Sequence, residues 1–353
     1  MAKYKRIKNI QIETSTICNA ACPQCLREWH NGDYNFFKQT YIPTDFYENR
    51  IPDRIYQEIE SINFCGVMGD PCAAPNFIDV CRTIKKKNPK IYISIATNGG
   101  MKSEEWWKEL ACVLGEHDSV IFGIDGLEDT NHIYRINVRW NNLIRNAKAF
   151  INAGGNAHWQ FIVFAHNEHQ IMQAEMLSQN YGFKKFFTIY NNRFFIEELF
   201  NRETYGADGK RLMPPTIKEE KSILLKFNKK TEEEWGRVSE NSCIKCQSLE
   251  YQELYIDAET HLLPCCYIAG AKFTLNSEDP DGYYSLWTQY GNDNLKLNLY
   301  DWDSIMDSEF WHQLESTWTK KFSEGRLLVC SGTCSSDLEA KFTLYRNSKD
   351  EIN

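Results

Sequence analysis

Residues 16–25 read Thr16-Ile17-Cys18-Asn19-Ala20-Ala21-Cys22-Pro23-Gln24-Cys25, three cysteines spaced four and three apart. With 13 cysteines in 353 residues, such a triplet is about a 2% coincidence under random placement, so the spacing carries information. Structural zinc sites favour two Cys-x-x-Cys knuckles and four closed ligands. Here no fourth Cys or His follows at knuckle spacing, the next candidate being His30 after Trp29. Three thiolates on one short loop suit a cubane iron–sulfur cluster with one iron open to a further ligand.

Outward from the triplet, Lys8–Glu13 alternates apolar and polar residues and reads as the strand that delivers the loop. Strand signals then recur at Ser61–Phe64, Ile91–Ala96, Val120–Ile124, His158–Phe164 and Lys185–Tyr190. Helical spacing fills Phe77–Lys87, Glu104–Leu114 behind a Ser103 cap, Trp140–Ile151 and His169–Tyr181. Alternating strands and helices specify an α/β fold with a parallel sheet. Six strands are too few for a closed eight-stranded barrel, so an open, partial (β/α)6 barrel is expected. The Gly-rich and polar stretches Gly66–Pro71, Thr97–Gly100, Asp125–Gly126 and Ala165–Asn167 each follow a strand. In parallel α/β folds those strand ends form the functional face.

The remaining cysteines divide into Cys65, Cys72, Cys81 and Cys112, expected as buried small hydrophobes, and a late group. That group is Cys243, Cys246, Cys265, Cys266, Cys330 and Cys334, with a hairpin between Glu253 and Pro264 and an amphipathic helix over Trp302–Lys320. The aromatic stretch Trp29, His30, Tyr34, Phe36, Phe37 and Tyr41 reads as core packing, with a substrate lid as the alternative. Three regions follow: a core at 1–190, linker helices at 191–240 and a second module at 241–353.

Forty basic against 48 acidic residues leave a formal charge of −8, which disfavours nucleic-acid binding. Lys85–Lys87 and Lys184–Lys185 read as solvated helix ends. No apolar run approaches the ~18 residues of a membrane span. The basic start Met1–Lys8 has no apolar stretch behind it, so no secretory signal is expected and the location is taken as cytoplasmic.

Thr16–Cys25 resembles the CxxxCxxC cluster loop of the radical S-adenosylmethionine (radical SAM) superfamily. Met68-Gly69-Asp70-Pro71 is similar to its Gly-Gly-Glu-Pro segment, Thr97-Asn98-Gly99 to the end of its third strand, and Asp125-Gly126 to that of its fourth. Tyr134-Arg135 resembles the downstream arginine that reaches the SAM carboxylate. Two departures stand out: Met68 replaces a glycine, and Gln24 stands where an aromatic residue is common. The resemblance covers roughly residues 8–190. It implies a SAM-binding 4Fe-4S cluster on Cys18, Cys22 and Cys25, and cofactor contacts from Gln24, Gly69, Asp70, Pro71, Asn98, Asp125 and Arg135.

The last third resembles the twitch domain, the shortened relative of the SPASM domain. That resemblance implies an auxiliary 4Fe-4S cluster on Cys246, Cys265, Cys330 and Cys334, with Cys243 and Cys266 as alternates. The chemistry implied is reductive cleavage of SAM to a 5′-deoxyadenosyl radical, which abstracts hydrogen from a peptide or small-molecule substrate. A reducing partner such as flavodoxin or ferredoxin is implied too. With the cluster strand opening at residue 8, no peptide-recognition domain is expected ahead of it. The alternative is a non-catalytic iron–sulfur or zinc-binding assembly protein. Such a protein has no use for Asp70, Asn98, Asp125 and Arg135 at strand ends.

Overall fold

The computed structural model describes residues 6–28, 33–190, 193–194, 202–216, 240, 243–273 and 282–335. Six strands run parallel: β1 (Asn9–Ile12), β2 (Ser61–Phe64), β3 (Tyr92–Thr97), β4 (Ser119–Gly123), β5 (Ala157–Val163) and β6 (Lys185–Tyr190). Two more, β7 (Glu253–Ile256) and β8 (Leu262–Leu263), form the late hairpin. β7 lies parallel to β1 on the side away from β2, with Tyr255 opposite Gln11. The sheet order is therefore β6-β5-β4-β3-β2-β1-β7-β8. It is the open α/β barrel segment expected, and the hairpin continues the same sheet.

Alternation along the strands divides two buried faces of different chemistry. Ile10, Ile12, Ile62, Phe64, Ile93, Ile95, Val120, Phe122 and Trp159 point to the apolar side and are buried. Large rings fill that layer: Trp107 lies 5.2 Å from Phe122 and donates its indole N–H to the Met101 carbonyl at 2.9 Å. The opposite face carries Gln11, Ser94, Ala96, Ser119, Gly123 and Gln160, small or polar residues turned to the barrel interior. One face thus supplies the hydrophobic stability and the other leaves room for chemistry.

The helices Phe77–Lys87, Glu104–Val113, Trp140–Asn152 and Ile171–Tyr181 fall where their spacing placed them. Ser103 Oγ accepts from Trp106 N–H at 3.3 Å and caps the second. The expected helix over Trp302–Lys320 is two helices, Trp302–Met306 and Glu309–Thr317. Ser308 between them is extended, because Asp and Ser at 307–308 favour caps over helix interiors. Short helices Thr44–Asn49 and Asp53–Glu58, not anticipated from the sequence, are each entered through an extended proline. Cys65, Cys72 and Cys81 are buried as expected, but Cys112 is exposed, on the solvent side of its helix. Trp29, His30 and most of 191–240 lie outside the described residues. Among those described, no helix is long and apolar enough to cross a membrane.

Asp118 ties the layers just before β4. Its buried carboxylate accepts from Ile93 N–H (2.7 Å), Gly115 N–H (2.6 Å) and Lys85 Nζ (2.7 Å). Asp118→Ala, by stranding Lys85 and two amides, is expected to cost about 3–5 kcal/mol in a urea melt; a loss below about 1 kcal/mol would contradict this role.

Candidate functional site

The loop after β1 is held from several directions. Thr16 N–H donates to Thr40 O at 3.0 Å, and Cys25 N–H to Cys22 O at 2.8 Å. The buried Arg27 guanidinium donates to the Thr16 carbonyl and, at 3.3 Å, to that of Met68, while lying 4.4 Å from the Tyr34 ring and 5.1 Å from that of Phe37. Phe36 and Phe37 pack on Phe273, so this part of the aromatic stretch is packing.

Cys18, Cys22 and Cys25 line a single cavity together with Gly69, Asp70, Asn98 and Arg135. Desolvation pushes the Cys18 thiol well above its ordinary range, with the Asp70 charge adding to the effect. It pushes that of Cys22 up to about 11 against the nearby Arg135 charge. Arg135 Nη1 stands 3.8 Å from Cys22 Sγ and Asn98 Nδ2 3.6 Å from Cys18 Sγ.

The strand-end residues are tied to one another. Asp70 accepts from Thr97 Oγ1 (2.9 and 3.0 Å), Asn98 N–H (2.8 Å) and Cys72 N–H (2.9 Å), joining the loop after β2 to the end of β3. Burial raises its carboxyl, and these donors oppose the shift. Asn98 also donates to Asn19 Oδ1 at 2.9 Å, reaching the cluster loop. Asp125 accepts from Arg135 Nε at 2.6 Å and from Ile162 N–H at 2.7 Å. Asp125 is thus behind Arg135 and does not line the cavity; neither do Gln24 and Pro71. Gln24 is buried and its carbonyl accepts from Arg193 Nη1 at 2.6 Å. Pro71 opens the 3-10 turn that Asp70 caps.

Three contributors were not anticipated. Gln160 and Arg193 line the cavity. Glu13, one residue past β1 and buried, accepts from Met68 N–H at 2.5 Å, Gly69 N–H at 3.1 Å and Tyr255 Oη–H at 3.2 Å. The signal for Glu13 lay in the alternation Asn9-Gln11-Glu13, which places it on the interior face. Desolvation raises its carboxyl to about 7; the Met68 amide opposes this and Asp257 adds to it.

A second cysteine group gathers beside the hairpin. Cys246 and Cys265 each precede a short helix. The Cys334 thiol is raised by its hydrogen bond with Cys246 and by burial, and it also feels the Cys265 charge. Lys245 N–H donates to Cys334 O at 2.8 Å. Cys330 precedes Cys334 by one helical turn in Leu328–Cys334 and so shares its face. Cys266 is turned toward Cys65 and Glu253, and Cys243 is exposed.

Both groups suit clusters better than single ions. Sulfurs sharing one zinc at about 2.3 Å lie within about 4 Å of one another. Among the described residues, the one His/Cys/Asp/Glu trio gathered within 4.8 Å is Asp257, Glu259 and His261. There the Lys272 ammonium already sits 2.5 Å from Asp257 and 3.2 Å from Glu259. The cysteine groups among the described residues are more widely spread; thiolates serve zinc and iron–sulfur clusters alike, so it is the spread that favours a cluster.

Residues 12–177 match the Radical SAM superfamily model. A 131-residue stretch is 30% identical to the tungsten-containing aldehyde ferredoxin oxidoreductase cofactor-modifying protein of Pyrococcus furiosus, covering 36% of this chain and 33% of that protein. The chain thus matches about a third of that curated relative's length. Among solved structures, Streptococcus suis SuiB bound to S-adenosylmethionine superposes with a TM-score of 0.51 at 14% identity, over 92% of this chain and 77% of that one. SuiB bound to precursor peptide SuiA gives 0.52 at 14% identity, over 92% and 76%. At that identity the likeness is one of fold.

Two outcomes are expected. A Cβ on Gly69 would lie 1.9 Å from the Ser15 carbonyl oxygen, so Gly69→Ala must push the loop off the Ser15–Thr16 backbone. A thermal melt should show a clear fall, and an unchanged Tm would contradict the packing. The Glu13 carboxyl titrates near 4.5 when unfolded and near 7 when folded, so the folded chain holds the extra proton between these values. Its contribution to stability therefore falls as pH rises from about 4.5 to 7 and is flat above. Melts across that window should show wild type losing ground to Glu13→Gln; parallel curves would contradict it.

Proposed function

We propose that this protein is a radical SAM enzyme that holds a 4Fe-4S cluster on Cys18, Cys22 and Cys25, chelates SAM beside it, and oxidises or joins bonds in a peptide or small metabolite. The observation that carries this reading is the meeting of the three thiols with Asp70, Asn98 and Arg135 around one cavity. Once bound, cluster and SAM supply a 5′-deoxyadenosyl radical on one-electron reduction, and that radical takes a hydrogen atom from the substrate.

The chain's own residues supply orientation and shelter. Arg135, aimed by Asp125, offers a planar guanidinium to the SAM carboxylate. Asp70 faces the cavity with both oxygens held by Thr97, Asn98 and Cys72, so its carboxylate is fixed in place to pair with the SAM ammonium. Ala96, Ile121 and Ile162 line the cavity and exclude water from the reacting atoms. Gln160 and Arg193, also in the lining, present polar groups to the substrate.

In this proposal residues 1–190 carry the SAM chemistry, 191–240 link, and 241–353 hold an auxiliary 4Fe-4S cluster on Cys246, Cys265, Cys330 and Cys334. The hydrogen bond between Cys334 and Cys246, with Cys266 beside Cys65 and Glu253 and Cys243 exposed, supports these ligands over Cys243 and Cys266. Ligation by four thiolates favours electron transfer as the role of the auxiliary cluster. A flavodoxin or ferredoxin is the reductant proposed.

Anaerobic reconstitution of the full chain should yield about eight irons, and 5′-deoxyadenosine on reduction with SAM. Replacing Cys246, Cys265 and Cys334 by alanine should leave about four irons and SAM cleavage intact. Replacing Cys18, Cys22 and Cys25 should abolish cleavage. Stoichiometric zinc, or cleavage that survives loss of the first trio, would contradict the reading.

A further inference from the structure

The support beneath the Met68–Asp70 segment extends into the C-terminal hairpin. Glu13 is buried with no cation in hydrogen-bonding reach among the described residues, an arrangement that costs free energy unless donors compensate. Three do: the amides of Met68 (2.5 Å) and Gly69 (3.1 Å) on Oε1, and the Tyr255 hydroxyl (3.2 Å) on Oε2. The two carboxyl oxygens have acceptor positions enough for all three. The loop is moulded onto this group. A Cβ on Gly66 would lie 3.0 Å from Glu13 Oε1 and 2.2 Å from the Gly69 carbonyl oxygen. The next amide, that of Asp70, is held by the Ile17 carbonyl at 2.9 Å.

Tyr255 stands on β7, the strand whose hairpin leads to Cys265. Asp257 and Lys272, 2.5 Å apart, face Glu13 from the same module with opposite charges, and the Cys65 thiol lies on its β2 side. An unbroken set of contacts therefore runs from the hairpin through Tyr255 and Glu13 to the two amides preceding Asp70.

We infer that Glu13 is a positioning residue that presents Met68, Gly69 and Asp70 to SAM, and that the Tyr255 hydroxyl makes the C-terminal hairpin part of the same support. This rests on the proposal that Asp70 and its loop receive SAM.

The test uses the full-length, cluster-reconstituted chain and three variants: Glu13→Ala, Glu13→Gln and Tyr255→Phe. Hydrogen exchange at Met68 and Gly69, equilibrium binding of SAM, and KM against kcat for SAM cleavage are read together. Glu13→Ala should speed exchange at both amides and weaken SAM binding and raise KM about tenfold, with kcat at saturation changed less than about twofold. Glu13→Gln keeps an acceptor for both amides and should restore protection and KM to within about threefold of wild type. Tyr255→Phe should raise KM about two- to threefold and speed the same amides. The inference is overturned if both Glu13→Ala and Tyr255→Phe exchange and bind SAM as wild type does. It is equally overturned if Glu13→Gln fares no better than Glu13→Ala, because a carboxylate needed only for folding would give that result. Should Glu13→Ala fail to hold iron, the Gln and Phe variants decide alone by the same criteria. A wild-type chain that never binds SAM would instead defeat the proposed function.

Discussion

The structure turns on thiols placed where they cannot easily lose a proton. Desolvation raises the Cys18 and Cys22 thiols above their ordinary range, so burial opposes the thiolate form of both. Arg135 stands 3.8 Å from Cys22 and is paired with Asp125. In the proposed reading a metal centre would resolve this, because binding deprotonates the sulfur and supplies the missing positive charge. The loop is preformed for that event by Arg27 beneath it and by Asn98 across from it.

Everything around the cavity follows from β1 having a parallel neighbour on each side. β2 brings the Met68–Pro71 loop to the cluster loop, and β7 brings the hairpin with Cys265. The polar interior face, with Gln11 and Gln160 in place of aliphatic residues, leaves space that the apolar face denies. Glu13 occupies the point where β1, the loop after β2 and β7 come together.

Much of this was legible in the sequence. Strands stood out to within a residue or two because their outer faces are Ile, Val and Phe at period two, and helices because Ser103 and similar signals marked their ends. The Cys spacing singled out the cluster loop, and the strand-end motifs named Asp70, Asn98 and Arg135, which the fold does bring together. What stayed hidden depends on contacts distant in sequence. Whether Asp125 faces the cavity or turns to Arg135 is decided by the Ile162 amide, 37 residues on. Cys246 and Cys266 have the same composition cues as their neighbours, and only the fold turns one toward Cys334 and the other toward Cys65. A single Glu at a strand end carries no motif, so Glu13 became visible only with Met68, Gly69 and Tyr255 around it. The break at Ser308 was missed because the amphipathic spacing runs on across it.

The most direct measurement is an anomalous-scattering map at the iron edge from crystals grown without oxygen. The account requires iron centred among Cys18, Cys22 and Cys25, and a second centre bounded by Cys246, Cys265 and Cys334. A single ion at either place, or anomalous signal at Asp257, Glu259 and His261 with none at the first trio, would contradict it.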